Sequence, residues 1–471
     1  MRVLILGWEY PPHITGGLGT ACEGLTKALA SQGVKIDFVV PKLHGDEEAT
    51  HMRLLDAYDV SSNAAFDEAE AESFRFASAS GDANAAHATT IRVQSILRPY
   101  LGEVDYQKVY QALSDYRAQR QIEKGRMHRP YAELGCEKDI TQIVNLAQEQ
   151  MQKQAEANPK QVHYGDKLLE EVHRYGVAIT EAVHNRNFDV IHAHDWMTFP
   201  GAIALKAHTD RPLVVHVHSI EADRAGDGAD NAISEIEKAG CEAADQVIAV
   251  SGYTKYRISQ KYGIDPSKIQ VVHNGIKEPV KKPATPRPVV KDEKNPIVLF
   301  LGRITFQKGP DYFLAAAKKV LKEVPTARFV VSGIGDMLPW MMSAVKAEGL
   351  QNKFEFTGFI PHSRVKDIFA AASVYVMPSI SEPFGLTALE AVQAGTPVIL
   401  SKQSGVSEVL SHSLKTDFWD VEKLAKMIVG AVKYPELRND LVRMATQEIK
   451  RICWTNAASK TIDVYRTVLQ H

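Results

Sequence analysis

Two series of short apolar runs, each run followed by a stretch of helical periodicity, fill most of this chain, and a single segment separates them. That segment, Lys277–Pro296 (KEPVKKPATPRPVVKDEKNP), carries five prolines and a cluster of charges. Proline fixes φ and gives up a backbone donor, so no packed helix or central strand fits there and the stretch reads as a linker. Before it, strands are expected at Arg2–Gly7, Val34–Val40, Phe188–His192, Leu213–Val217, Gln246–Val250 and Ile269–Val272. After it they are expected at Ile297–Leu301, Arg328–Ser332, Phe354–Thr357, Val374–Met377 and Pro397–Leu400, with 421–471 helical to the end. A run that is apolar at nearly every position is covered on both faces, and strands alternating with helices build parallel sheets. The predicted fold class is α/β, with two doubly wound, Rossmann-like domains and a cleft between two sets of strand C-termini, where such sheets take ligands.

The alternation breaks from about 42 to 186. Ala, Glu, Asp and Ser dominate 61–90, too few large apolar residues for a core, and 139–185 has helical spacing. A helical insertion in the N-terminal domain is the expectation. The domains are then 1–280 with that insertion, a linker at 281–296, and 297–454.

Charge excludes more than it identifies. Lys+Arg number 55 and Asp+Glu 57, a net −2, which offers no electrostatic footing for nucleic acid or an anionic membrane. The four cysteines lie far apart with no C-x-x-C pair, against a disulfide framework or zinc ribbon. The N-terminal run is too short for a signal peptide and no window approaches a membrane span, so a cytoplasmic protein is the default expectation.

Chemistry-bearing residues gather where the strands end. Glu382-Pro-Phe-Gly-Leu386 leads from the strand at 374–377 to a helix that carries Glu390 about one turn in. Pro383 keeps Glu382 on the loop, and Gly385 permits a tight turn. The free N–H groups at the helix start can face an anion, and two carboxylates can grip vicinal hydroxyls. Arg303 and Lys308 follow the strand at 297–301. Two cations there would stabilise the charge that gathers on a departing diphosphate. Lys308 is followed by Gly309 rather than Ser or Thr, so this is no P-loop. Taken singly, each pair also fits a solvated loop.

In the first half, Gly16 and Gly17 open the first helix after a loop holding Trp8, Glu9 and His13, residues suited to contacting a sugar. His192 and His194 end one strand and point the same way, and His216 and His218 repeat the spacing at the next strand end. With no third ligand evident, zinc is the minority reading and a histidine donating to a sugar hydroxyl is preferred. No D-x-D pair occurs to hold a divalent ion on a diphosphate. Neither a metal nor a cofactor is expected.

Together these motifs resemble the retaining glycosyltransferases of the GT-B type, family 4 and its glycogen and starch synthase relatives. The resemblance covers roughly 1–41 and 187–471. It rests on Glu382 and Glu390 as E-x7-E, Arg303 and Lys308 as G-R-x4-K-G, His194–Trp196 as H-D-W, and the Gly16–Gly17 loop. It implies a nucleotide-sugar donor and a saccharide acceptor. Glu390 would hold the ribose and Glu382 the transferred sugar. Arg303 and Lys308 would bind the diphosphate, and His194 would lie near the sugar's primary hydroxyl. Amides of Phe384, Gly385 and Leu386 would assist, with Gly16 and Gly17, on the donor side. Glu9, His13 and His218 would fall to the acceptor. The last helix, 455–471, would cross back to the N-terminal domain. The glycine loop reads Ile14-Thr15-Gly16-Gly17-Leu18, where bacterial glycogen synthases have lysine first. That departure puts ADP-glucose in doubt and favours a family 4 assignment, while UDP-glucose, ADP-glucose and a GDP-sugar all stay open as donors.

The implied reaction transfers a hexosyl group, glucosyl by preference, with retention, as in an α-glucan synthase. No carboxylate suits the position under the anomeric carbon, so a same-face route is expected, in which the leaving oxygen takes the acceptor proton. Two other classes keep a place: a GT-B-like nucleotide-sugar epimerase, and a non-catalytic carbohydrate- or nucleotide-binding protein.

Overall fold

The computed structural model describes residues 1–12, 17–43, 45–57, 168–183, 186–226, 228, 232–277 and 291–470. Two sheets organise them. The first has seven strands: β1 Arg2–Leu6, β2 Lys35–Val40, β3 Arg53–Asp56, β4 Val190–His194, β5 Leu213–Val217, β6 Gln246–Ala249 and β7 Ile269–Val271, in the order β3-β2-β1-β4-β5-β6-β7. The second has six: β8 Ile297–Leu301, β9 Arg328–Ser332, β10 Phe354–Gly358, β11 Val374–Met377, β12 Val398–Ser401 and β13 Leu414–Thr416, in the order β10-β9-β8-β11-β12-β13. Every registered pair in the second sheet is parallel. This is the doubly wound architecture expected from the apolar runs.

The second sheet shows why its strands read as unbroken apolar runs. Val298, Phe300, Val374, Val376 and Ile399 enter one core with Phe313, Phe329 and Phe354. Leu299, Tyr375, Met377, Val398 and Leu400 enter the other with Phe369, Leu389 and Val392. Neighbouring side chains alternate between faces, and helices cover both. Burying each large side chain contributes roughly 1.5–3 kcal/mol.

Strand order sets the functional crevices. In the first sheet the winding reverses between β1 and β4, and in the second between β8 and β11. The loops leaving those strands diverge to opposite faces and leave a gap at the strand C-termini.

The segment expected as an insertion is trimmed at both ends. Arg53–Asp56 pairs in parallel with β2 as an edge strand of the first sheet. Arg53 locks it there with a bidentate pair to Asp37, Nε and Nη2 each 2.6 Å from a carboxylate oxygen. The helix Leu168–Ala182 also belongs to the domain, since the hydroxyl of fully buried Tyr175 lies 2.9 Å from the Gly7 carbonyl and 2.8 Å from that of Val39. The remainder of the expected insertion, 58–167, lies outside the described residues, as do 278–290 of the expected linker.

By contacts the chain forms two compact units: Met1–His216 with Asp230–Val247 and Ile462–His471, and Val217–Ala229 with Ile248–Thr461. Among the described residues no helix is long and apolar enough to cross a membrane.

Candidate active site

The second unit holds Arg303, Lys308, Glu382, Phe384, Gly385, Leu386 and Glu390, on the loops and the helix that flank the β8/β11 reversal. Lys308 ends a tight turn, Phe306–Lys308, closed by Gly309 at φ 66. A Cβ on Gly309 would sit 2.2 Å from the Pro378 carbonyl oxygen, so only glycine lets this loop run against the one after β11. The Ile380 N–H bonds the Gln307 carbonyl at 2.9 Å and fastens the same crossing. Lys308 Nζ consequently meets Glu382 Oε2 at 2.5 Å, with both side chains largely buried. The charged pair thus owes its placement to backbone.

Gly385, at φ 107, turns the chain into the helix Leu386–Gln393, which carries half-buried Glu390. Phe384 is buried, and its carbonyl accepts from the Val406 N–H at 2.7 Å. The Tyr375 hydroxyl bonds the Leu301 carbonyl (3.1 Å) and Thr387 Oγ1 (2.9 Å), tying the helix start to the end of β8. Burial keeps that phenol far above the usual tyrosine range. Arg303 is exposed, and its side chain makes no hydrogen bond or ion pair among the described residues. The arrangement presents an exposed guanidinium, a paired ammonium and a carboxylate at strand C-termini, and it can bind a polyanion with hydroxyls attached.

Three further sets of contacts in this unit were not anticipated, and two of them bear on residues 381–383. Ser381 Oγ donates to Asp223 Oδ1 at 2.6 Å. Ser251 Oγ donates to the Pro383 carbonyl at 2.6 Å. Glu408 accepts from the N–H groups of Gly252 (2.9 Å) and Tyr253 (2.6 Å) and meets His273 Nε2 at 3.0 Å. Burial works to raise the Glu408 carboxyl, but these hydrogen bonds prevail and hold it below the usual range. The S-x-x-T spacing of Ser251 and Thr254 is a helix-start signal, and Ser251 does accept the Thr254 N–H. Nothing local announced its distant partner. His218 is counted with this unit, and burial pushes its imidazole down to about 3, which leaves it neutral near pH 7.

In the first unit, His194 is fully buried at the end of β4 and pairs in register with His216. His192, His194 and His216 bring their ring nitrogens within 4.8 Å of one another, so a third imidazole does join the pair, contrary to the sequence expectation. His216 stacks with both other rings, lying only 7° from parallel with His192 at 5.4 Å, while His192 Nδ1 meets the Tyr465 hydroxyl at 2.6 Å. An imidazole binds an ion in its ring plane, and no single point lies in both of two near-parallel, stacked planes. The three rings pack against one another, with the Tyr465 hydroxyl against His192. Asp195, next in the chain, holds φ 58, a strained value for a non-glycine residue.

Glu9 Oε1 accepts the Gly19 N–H at 3.1 Å, which places that carboxylate at the start of the helix Gly17–Ser31. Trp8 packs edge-on against Tyr175. Gly17 is exposed at the helix start, while His13 and Gly16 lie outside the described residues.

Comparison with known proteins adds three family matches that together run along most of the chain. "Glycosyl transferases group 1" matches residues 281–448, "Glycosyltransferase Family 4" matches 143–278, and "Starch synthase catalytic domain" matches 2–121. An uncharacterized glycosyltransferase of Methanocaldococcus jannaschii is 31% identical over 299 residues, 60% of this chain and 76% of that protein. The alpha-maltose-1-phosphate synthase of Mycolicibacterium smegmatis is 31% identical over 308 residues, 59% of this chain and 79% of that protein. Among solved structures, sucrose-phosphate synthase from Thermosynechococcus elongatus aligns over 100% of this chain and 99% of its own, at TM-score 0.64 and 18% identity. Anabaena HepE, solved in complex with UDP and glucose, aligns over 99% and 100%, at TM-score 0.57 and 15% identity.

Proposed function

The chain belongs to the GT-B glycosyltransferases of group 1 and family 4, with a starch-synthase-like stretch at 2–121, and from that premise we propose that it moves a hexosyl group from a nucleoside-diphosphate sugar to a saccharide hydroxyl with retention. Glucose is the preferred sugar, and UDP-, ADP- and GDP-sugars are the candidate donors. The observation that carries the reading is the Lys308–Glu382 pair at the β8/β11 strand ends, with Arg303 exposed on the same loop as Lys308. A diphosphate gains negative charge as its bond to the sugar breaks, and cations held by backbone contacts stabilise that charge without reorganising.

The C1–O bond to the β-phosphate breaks first, with Lys308 and Arg303 holding the leaving group. The acceptor oxygen then bonds to C1 on the same face, and its proton passes to the departing phosphate oxygen. Glu382 orients the ammonium and the sugar hydroxyls, and Glu390 accepts from the ribose. These groups supply the charge stabilisation without a divalent ion.

The test is a thermal-shift screen with UDP-, ADP- and GDP-sugars, followed by product analysis with the donor that binds. A ligand of the folded state raises its melting point, by about 2.7 kcal/mol of stabilisation at a hundredfold excess over Kd. The expected product carries an α-linkage from an α-donor, at unchanged rate in EDTA. Isomerised donor without an acceptor would establish the epimerase instead. Binding without turnover across many acceptors would establish a carbohydrate- or nucleotide-binding protein.

A further inference from the structure

Three consecutive residues around Glu382 are held from outside their own loop. The Glu382 N–H bonds the Gln403 carbonyl and its carbonyl accepts from Gly405, both at 2.9 Å. The Pro383 carbonyl accepts from Ser251 Oγ at 2.6 Å and from Thr254 Oγ1 at 3.2 Å. On the other side, Ser381 Oγ donates to Asp223 Oδ1 at 2.6 Å and lies 3.0 Å from the Tyr253 hydroxyl. Most of these partners are neutral. Asp223 is a carboxylate with 4% exposure, and its other contacts also face inward. It accepts the Ile220 N–H at 3.0 Å, and Arg257 Nε stands 3.4 Å away.

A buried carboxylate is a costly way to hold a serine hydroxyl if stability alone is served. A charge-assisted hydrogen bond is short and directional, however, and suits a place where an angle matters. Asp223 also lies on the helix Glu221–Ala225, which packs beside the Phe306–Lys308 turn. It therefore reaches the loop of Glu382 through Ser381 while its own helix borders the turn that ends in Lys308.

We propose that Asp223 is a positioning residue for the transfer step, acting through Ser381 to aim the Glu382 carboxylate at Lys308. This rests on the donor-site reading above. Asp223 needs no contact with substrate, and its effect is confined to variants in which Glu382 is intact.

The experiment is a kinetic double-mutant cycle on the full chain. Asp223→Asn keeps the size of the side chain and one acceptor oxygen. It should lower kcat by about tenfold to a hundredfold, as misplacement of a catalytic group does, with a much smaller change in donor KM. In a Glu382→Ala background the same substitution should change kcat by less than about twofold, since nothing is left to aim. Ser381→Ala should repeat the pattern, which covers the case in which Asp223→Asn fails to fold. Losses that multiply across the two backgrounds would overturn the proposal and leave Asp223 a structural residue. A Lys308→Ala control separates the two claims. Wild-type turnover in that control defeats the donor-site reading itself, whereas a slow Lys308→Ala enzyme beside multiplicative losses defeats only the positioning role. A wild-type protein that binds none of UDP, ADP or GDP in a titration overturns both.

Discussion

Lys308 Nζ and Glu382 Oε2 face each other at 2.5 Å across two loops that leave neighbouring parallel strands. With side chains 20% and 11% exposed, the pair is far better shielded than a surface salt bridge. An ammonium already oriented by a carboxylate need not search for its position when a phosphate arrives, and its remaining protons are free to donate. Lys308→Ala should therefore lower kcat by about a hundredfold or more, the usual scale for a lost transition-state charge contact. Glu382→Gln should lower it less, because the amide still accepts from lysine. Steady-state kinetics at saturating donor is the measurement, and wild-type turnover in Lys308→Ala would remove this residue from the mechanism.

Glu390 should separate from Lys308 by its kinetic signature. It sits on the helix after the loop, half-buried. A carboxylate that holds a ribose binds ground state and transition state alike, so its loss raises KM and spares kcat. Glu390→Ala should raise the donor KM by about tenfold to a hundredfold, the range of a charged hydrogen bond. An unchanged donor KM, measured alongside UDP affinity by calorimetry, would free Glu390 of that role.

Gly309 offers a test of how the loops are held together. Its φ of 66 and the 2.2 Å approach of a built Cβ to the Pro378 oxygen forbid a side chain unless backbone moves. Gly309→Ala should cost about 1–3 kcal/mol of stability and should also slow turnover, since it pries apart the crossing that brings Lys308 to Glu382. Loss of stability with full kcat would show that the pair tolerates a displaced backbone.

Much of the second sheet was legible because its strands, such as Ile297–Leu301 and Val374–Met377, are unbroken apolar runs covered on both faces. The start of the helix Leu386–Gln393 was legible because Pro383 and Gly385 punctuate the loop before it. Arg53–Asp56 was not legible, as two of its four residues are charged and its ion pair with Asp37 depends on a neighbouring strand. Leu414–Thr416 is three residues at a sheet edge, too short for any periodicity. Local spacing brought Arg303, Lys308, Glu382 and Glu390 to loops or a helix start after strands. It could not bring Asp223 to Ser381 or Ser251 to Pro383, separations of 158 and 132 residues that only strand order spans. The same holds for His216, which joins His192 and His194 through strand register.

His51 provides a pH test in the first unit. Its Nε2 lies 3.0 Å from Thr26 Oγ1 and 3.4 Å from the Tyr10 hydroxyl. Burial pushes the imidazole down to about 4, Lys27 adds to the effect, and Glu23 opposes it. The folded chain thus keeps His51 neutral where an unfolded chain, titrating near 6.5, takes up a proton. The stabilisation is complete above pH 6.5, falls as the pH drops toward 4, and levels off below, a total of roughly 3 kcal/mol. His51→Gln has no proton to gain. The wild-type advantage in urea midpoint over this variant should shrink between pH 7 and pH 4.5, or change sign. A gap that stays constant across that window would mean the folded state accepts the proton as readily as the unfolded chain, and that the ring is far better solvated than its contacts with Tyr10 and Thr26 imply.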